Sequence, residues 1–196
     1  MNKYLITQSL LSSWQYALTL ENGNEDFLKT LKREPIQQTK AMLDGIKFEN
    51  VLNAVLNGAT IDATHEWYKP IMELYGTLQG AQQQVKLSRD MEVGGVNIVL
   101  YGVLDFLKAG TVFDTKFSKT YRVGKYLTSP QHSAYLTLVP EAKAFTYLIC
   151  DGEYIFSETY HPDETEPIER LISHFMEFLE RQSLLPLYFE KWRSQY

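Results

Sequence analysis

One cysteine, Cys150, is all the thiol this chain contains. An intramolecular disulfide is therefore excluded, and so are four-cysteine zinc and iron–sulfur sites. The sequence also lacks a charged-then-apolar leader and any apolar run long enough to span a bilayer. Without membrane contact, a cytoplasmic location is the default expectation. Internal repeats, low-complexity tracts and linkers are missing too. With 196 residues, 44% hydrophobic and 22% charged, the expectation is a single domain over residues 1–196 with an ample core. Positive charge is in short supply, the formal net charge being −5. A coat protein for nucleic acid is disfavoured, because phosphate binding needs local positive charge. The deficit is uneven, however. Lys108, Lys116, Lys119, Arg122 and Lys125 fall close together, with Asp114 the only acid among them. On charge alone this segment is either a solvated loop or a place to hold phosphates.

The pattern of apolar residues predicts the elements. Residues 8–21 read as a helix capped by Thr7 or Ser9, and residues 22–35 as a polar stretch closed by Pro35. A long helix is expected over 36–57, ended by Gly58, and another over 66–80 after a turn near Pro70. The period then changes. Val85, Leu87, Met91 and Val93 lead into a Gly94-Gly95 turn. Residues 96–107 (VNIVLYGVLDFL) form an apolar run best read as a buried strand, and 111–117 (TVFDTKF) the next strand after Ala109-Gly110. Ser129-Pro130 starts a helix that stops before Pro140. Residues 142–150 and 153–160 form a hairpin around Asp151-Gly152, and 163–182 a final helix. The first-turn acids Asp163, Glu164 and Glu166 suit its dipole. The expected fold class is mixed α/β, with a central mixed sheet flanked by helices.

Four features stand out against this frame. Asp105 ends a run that should be buried, where a bare carboxylate is costly. Asp114 and Lys116 share one strand face, opposite Phe113, Thr115 and Phe117. The turn at Ala109-Gly110 makes the two strands neighbours, so Asp105 and Asp114 can converge into an oxygen site suited to Mg²⁺. On its own, D-x-K reads equally well as a surface ion pair. On a helical wheel at about 100° per residue, Met42, Gly45, Ile46, Leu52 and Leu56 lie within roughly 60° of Glu49. Glu49 is thus expected at the centre of an apolar stripe. Gln131 and Tyr135, four apart on a short helix, share a face. The four histidines, His65, His132, His161 and His174, are scattered and suggest no zinc site.

Together these residues resemble the PD-(D/E)XK nucleases, in particular their RecB-like and lambda-type phage exonuclease branch. The matching segments are G-I-K-F-E with Glu49, Y-G-V-L-D with Asp105, D-T-K at 114–116, Q-H-S-A-Y at 131–135 and S-L-L-S-S-W at 9–14. The likeness covers about residues 9–135. The metal-binding histidine that many RecB-like proteins carry in the first motif helix is missing. So are the cluster-binding cysteines and the helicase domain.

The resemblance implies a restriction-endonuclease-like core and Mg²⁺- or Mn²⁺-dependent hydrolysis of DNA. Asp105, Asp114 and the Thr115 carbonyl would hold the ion, and Glu49 would reach it directly or through water. Lys116 would orient the attacking water or neutralise developing charge. Gln131 and Tyr135 would position Lys116 or the scissile strand. Lys119, Arg122 and Lys125 would grip backbone phosphates. An exonuclease acting on linear duplex ends in recombination or repair is expected, in a phage or prophage setting within a bacterial host cell. A strand-annealing protein would be its companion. Ring-forming relatives make a homo-oligomer compatible with the resemblance. An endonuclease on the same core, an inactive DNA-binding module and a chance coincidence of short motifs stay open as alternatives.

Overall fold

The computed structural model describes residues 2–20 and 24–195. It is a mixed α/β fold in which helices cover both faces of a six-stranded mixed sheet. Strand β1 (Tyr4–Thr7) leads straight into helix α1 (Gln8–Leu18), whose N-terminus is capped by the Thr7 hydroxyl accepting from the Leu10 amide. Then come α2 (Asn24–Lys32), α3 (Lys40–Leu56) and α4 (Tyr68–Leu78). The strands β2 (Gln82–Val93), β3 (Val96–Lys108) and β4 (Thr111–Phe117) follow as a meander. Helix α5 (Pro130–Leu138) precedes the hairpin of β5 (Ala144–Cys150) and β6 (Ile155–Tyr160). Helices α6 (Ile168–Arg181) and α7 (Leu185–Lys191) end the chain.

Several boundaries differ from expectation for local reasons. α1 stops at Leu18 with Thr19 as its C-cap, so the expected extension fails at Thr19 and Leu20, and residue 21 lies outside the described residues. The stretch read as polar contains α2, which buries Phe27 and Leu31 four residues apart, with acids in its first turn and lysines in its last. α3 begins at Lys40, because Thr39 caps it through the Met42 amide. Asp163 and Glu164 sit in a separate 3₁₀ turn, and α6 starts only after Pro167. β1 and α7 were not expected. Each is too short to show a period.

Two cores sandwich the sheet. One gathers Leu10, Trp14, Phe27, Leu100, Phe145, Phe175 and Tyr188 beneath α1, α2, α5, α6 and α7. The other packs Phe48, Leu52, Trp67, Ile71, Phe106 and Leu148 beneath α3 and α4. β5 shows the alternation: Phe145, Tyr147 and Ile149 enter the first core, Leu148 and Cys150 the second.

β3 organises the sheet. It pairs antiparallel with β2 along nearly its whole length, from Val93↔Val96 to Gln82↔Leu107. A strand has two edges, so β1 and β4 must share the other one. β1 takes Ile98 to Tyr101 in parallel register, and β4 takes Phe106 to Lys108 antiparallel. Between them Gly102, Val103, Leu104 and Asp105 have no strand partner on that edge. The sheet is therefore notched where β1 and β4 diverge.

Candidate active site in the notch of the sheet

The notch opens into a cleft of about 380 Å³. Its floor is β3 from Tyr101 to Asp105, and its walls carry Thr7, Gln8, Glu49, Asp114, Lys116 and Tyr135.

Asp105 reaches this cleft through an irregularity in β3. The β2–β3 pairing runs from Gln83↔Phe106 to Val85↔Leu104 and skips Gln84 and Asp105. Gln84 sits there with φ at 51°, a left-handed conformation that non-glycine residues rarely adopt, and its side chain lines the cleft. On the other edge, the β3–β4 ladder stops one pair before Asp105 and Asp114 would face each other. The faces change too. Leu104 belongs to one core and Phe106 to the other, although a regular strand would place both on one side. This break turns Asp105 toward Asp114. One Asp105 carboxylate oxygen accepts the Thr115 amide at 3.4 Å.

Asp114 and Lys116 share a face of β4, as the period of a strand requires. The Lys116 ammonium stands 2.7 Å from Asp114 Oδ2, and Gln131 Nε2 donates to Asp114 Oδ1. Asp114 is only 2% exposed, so this pair of partners compensates its charge. Burial works against the Lys116 ammonium, yet Asp114, and behind it Asp105, hold its pKa above the ordinary lysine value. Asp105 lacks such a partner. Burial first, then the charges of Asp114 and Glu49, push its pKa up to about 8, with Lys116 acting in the opposite direction. The cleft thus holds more carboxylate than its one ammonium neutralises.

Glu49 faces the cleft from α3, and the stripe expected around it is only partly buried, with Leu52 in the core and Leu56 packed against it. Met42 and Ile46 are exposed, and α3 packs through Phe48, Leu52 and Val55. Glu49 stands at the margin of the buried face, half-exposed. The wheel averaged two distinct faces. Among the described residues, no three His, Cys, Asp or Glu side chains stand close enough to form a metal cluster. The acids brought together are Asp105 and Asp114, and Glu49 looks onto them across the cleft. A divalent ion fits this set. Mg²⁺ is usually held by one or two carboxylates with several waters, and it would restore the missing positive charge beside Asp105.

Gln131 holds Asp114, and not Lys116 as one of the expected roles had it. The Tyr135 hydroxyl donates to the Val103 carbonyl at 2.9 Å, at the unpaired edge of β3. That contact satisfies a backbone group the notch leaves open. Close approach of α5 is allowed by Gly102, where a Cβ would come within 2.7 Å of the Tyr135 ring and 2.8 Å of Leu138. An isolated glycine inside an apolar strand run is a readable sign of such an approach.

Lys119, Arg122 and Lys125 are exposed on the loop after β4. Lys125 donates to Ser118 Oγ at 2.6 Å and lines a groove beside the cleft. The loop is fixed by Glu158 of β6, which accepts from Tyr121, from the Gly124 amide and from Tyr160, each at 2.8 Å. Burial opposes ionisation of Glu158, but these hydrogen bonds outweigh it and hold its pKa below the usual glutamate value. Nothing in the sequence marked Glu158, Gln84 or the cleft-facing Gln8, because only the fold brings them there. His132 is not at the surface. It is buried, stacked on Tyr160 at 4.1 Å with the rings 2° from parallel, and burial lowers its pKa to about 4.

No family model and no curated protein matches this chain. Among solved structures, the crystal structure of SSO0001 is similar, with a TM-score of 0.54 and 18% identity over 91% of this chain and 78% of that one. At that identity the likeness shows the fold alone. No helix of the described residues is long and apolar enough to cross a membrane.

Proposed function

We propose that this protein is a divalent-ion-dependent DNA nuclease of the PD-(D/E)XK type, with a restriction-endonuclease-like core, acting as an exonuclease on linear duplex ends. The observation that carries the reading is the convergence of Asp105 and Asp114 at the break in β3, with Lys116 at 2.7 Å from Asp114. Buried carboxylates set against an ammonium in a cleft are costly to fold and suited to charge-separating chemistry. The Gln131–Tyr135 helix, in the position the RecB-like motifs give it, leans the reading toward the exonuclease branch. A recombination or repair role in a bacterial host, beside a strand-annealing protein, belongs to the same proposal.

The reaction is attack of water on a backbone phosphorus, with cleavage of one P–O bond and protonation of the leaving oxygen. Mg²⁺ or Mn²⁺ held by Asp105, Asp114 and the Thr115 carbonyl, with Glu49 reaching it through water, would supply Lewis acidity at the phosphoryl oxygen and a more acidic water. The chain's own groups do the rest. Asp114 is oriented by Gln131. Lys116 brings positive charge to the phosphoryl group as it gains negative charge. Tyr135, kept protonated by burial and by the nearby Asp114 and Asp105 charges, holds the floor of the cleft through Val103.

The purified chain, given end-labelled linear duplex and closed circular DNA, should degrade only the linear substrate in Mg²⁺ and neither with chelator. Asp114→Asn should reduce cleavage at least about a thousandfold while leaving the thermal midpoint near that of the parent, a loss on the scale of removing one essential catalytic group. Cutting of circles would favour the endonuclease on this core. Full activity in the variant would remove the site.

A further inference from the structure

Among the described residues, four that are not glycine hold φ positive: Arg33, Gln84, Ala109 and Ser183. Three of them end an element. Arg33 and Ser183 follow the last turns of α2 and α6 and close those helix ends, their amides donating to the Thr30 and Glu180 carbonyls. Ala109 stands with Gly110 in the two-residue turn between β3 and β4. Gln84 alone lies inside a strand, at φ 51°. The register sets it opposite Asp105, since Gln83 pairs with Phe106 and Val85 with Leu104. Both strands turn over there, Val85 and Leu104 facing the first core and Phe106 the second. Gln84 is exposed and lines the cleft beside Glu49, Asp105 and Thr115.

A left-handed backbone is unfavourable for a residue with a Cβ, and glycine or asparagine would hold it at less cost. A glutamine kept there points to a use for its side chain. That use is not to hold Asp105, whose carboxylate takes the Thr115 amide and makes no hydrogen bond to Gln84. The other long polar side chains of the cleft are already engaged. Lys116 and Gln131 are held by Asp114, Gln8 accepts from Ser12, and Tyr135 donates to Val103. Resting on the nuclease reading of this cleft, we infer that Gln84 is a substrate-contacting residue whose carboxamide N–H donates to a non-bridging oxygen of the scissile phosphate. A carboxamide offers two N–H donors and adds no charge beside the carboxylates. The turn-over of β2 opposite Asp105 is what aims it into the cleft, as irregularities in strands beside reactive groups do.

Two variants separate side chain from backbone. Gln84→Gly removes the carboxamide and relieves the strained backbone, whereas Gln84→Asn keeps a carboxamide on a residue that tolerates the left-handed region. Binding of a labelled linear duplex is measured by fluorescence anisotropy in Ca²⁺, which takes oxygen ligands as Mg²⁺ does. Gln84→Gly should weaken it about tenfold or more, the loss expected for one hydrogen bond to a charged group. Its thermal midpoint should equal or exceed the parent's, and its affinity for Mn²⁺ without DNA should match the parent's. Gln84→Asn should bind duplex more tightly than Gln84→Gly. Cleavage in Mg²⁺ at limiting enzyme should fall in the same order. Parental duplex affinity in Gln84→Gly overturns the inference. So does equal weakening in both variants, which would assign the effect to the backbone, and so does a matching loss of Mn²⁺ affinity, which would make Gln84 a support for Asp105. A parent that binds duplex but does not cleave it in Mg²⁺, with Gln84→Gly still the weaker binder, sinks the nuclease reading alone. A parent that does not bind duplex sinks both.

Discussion

His132 shows how a side chain next to a cleft residue can serve the fold alone. It follows Gln131 in sequence, but it points into the core, where its Nδ1 has no hydrogen-bond partner and its ring stacks on Tyr160. Burial lowers its pKa from 6.5 to about 4. The unfolded chain therefore takes up this proton more readily than the folded one. Stability is intact above about pH 6.5 and falls as the pH drops toward 4, by roughly 3 kcal/mol in all for this group. Denaturant midpoints measured across that window should show the loss. His132→Phe should flatten the part of the profile due to His132, and an unchanged profile would mean that the imidazole is not held neutral. Asp105 shows the same effect on an acid, burial pushing its pKa up to about 8.

The strands and helices that carry the cleft differ in how far they could be read in advance. β3, β4 and α5 were legible, because an apolar β-branched run, a two-residue turn and a Ser-Pro helix start are strong local signals. The same signals paired Asp105 with Asp114 and Asp114 with Lys116. Glu49 was placed on the right helix, but its stripe is buried at Leu52 and Leu56 and exposed at Met42 and Ile46, which periodicity alone does not distinguish. The notch itself was not legible. It arises because β1 and β4 leave the same edge of β3, and that follows from pairings between distant segments. α5 lies against this edge through Gly102, so Gly102→Ala should push the Tyr135 ring and Leu138 apart. A loss of about 1–3 kcal/mol is expected, together with weakened cleavage, because Gln131 moves with its helix. Retention of both stability and activity would show that α5 has room to shift.

For the molecule as a whole, the edge of the sheet at β1 is closed by the end of the chain. The Leu5 amide donates to the Trp192 carbonyl at 2.7 Å, and the Ser194 amide donates to the Lys3 carbonyl at 2.8 Å. Trp192 is buried, gives its indole N–H to the Leu31 carbonyl at 2.8 Å, and carries the Arg33 guanidinium 4.3 Å above its ring. Trp192→Ala should cost about 3–5 kcal/mol, read as a lowered thermal midpoint. Activity should fall in step, since β1 delivers Thr7 and Gln8 to the cleft. A lowered midpoint with full activity at low temperature would separate the clasp from the site.

Tyr4 lies beside Ile98 and, on its other side, beside Arg193. Segments so remote along the chain meet only after large loops have closed, which makes such pairings slow to form. The floor of the cleft depends on them. A refolding molecule therefore completes the cleft only after these distant pairings have formed.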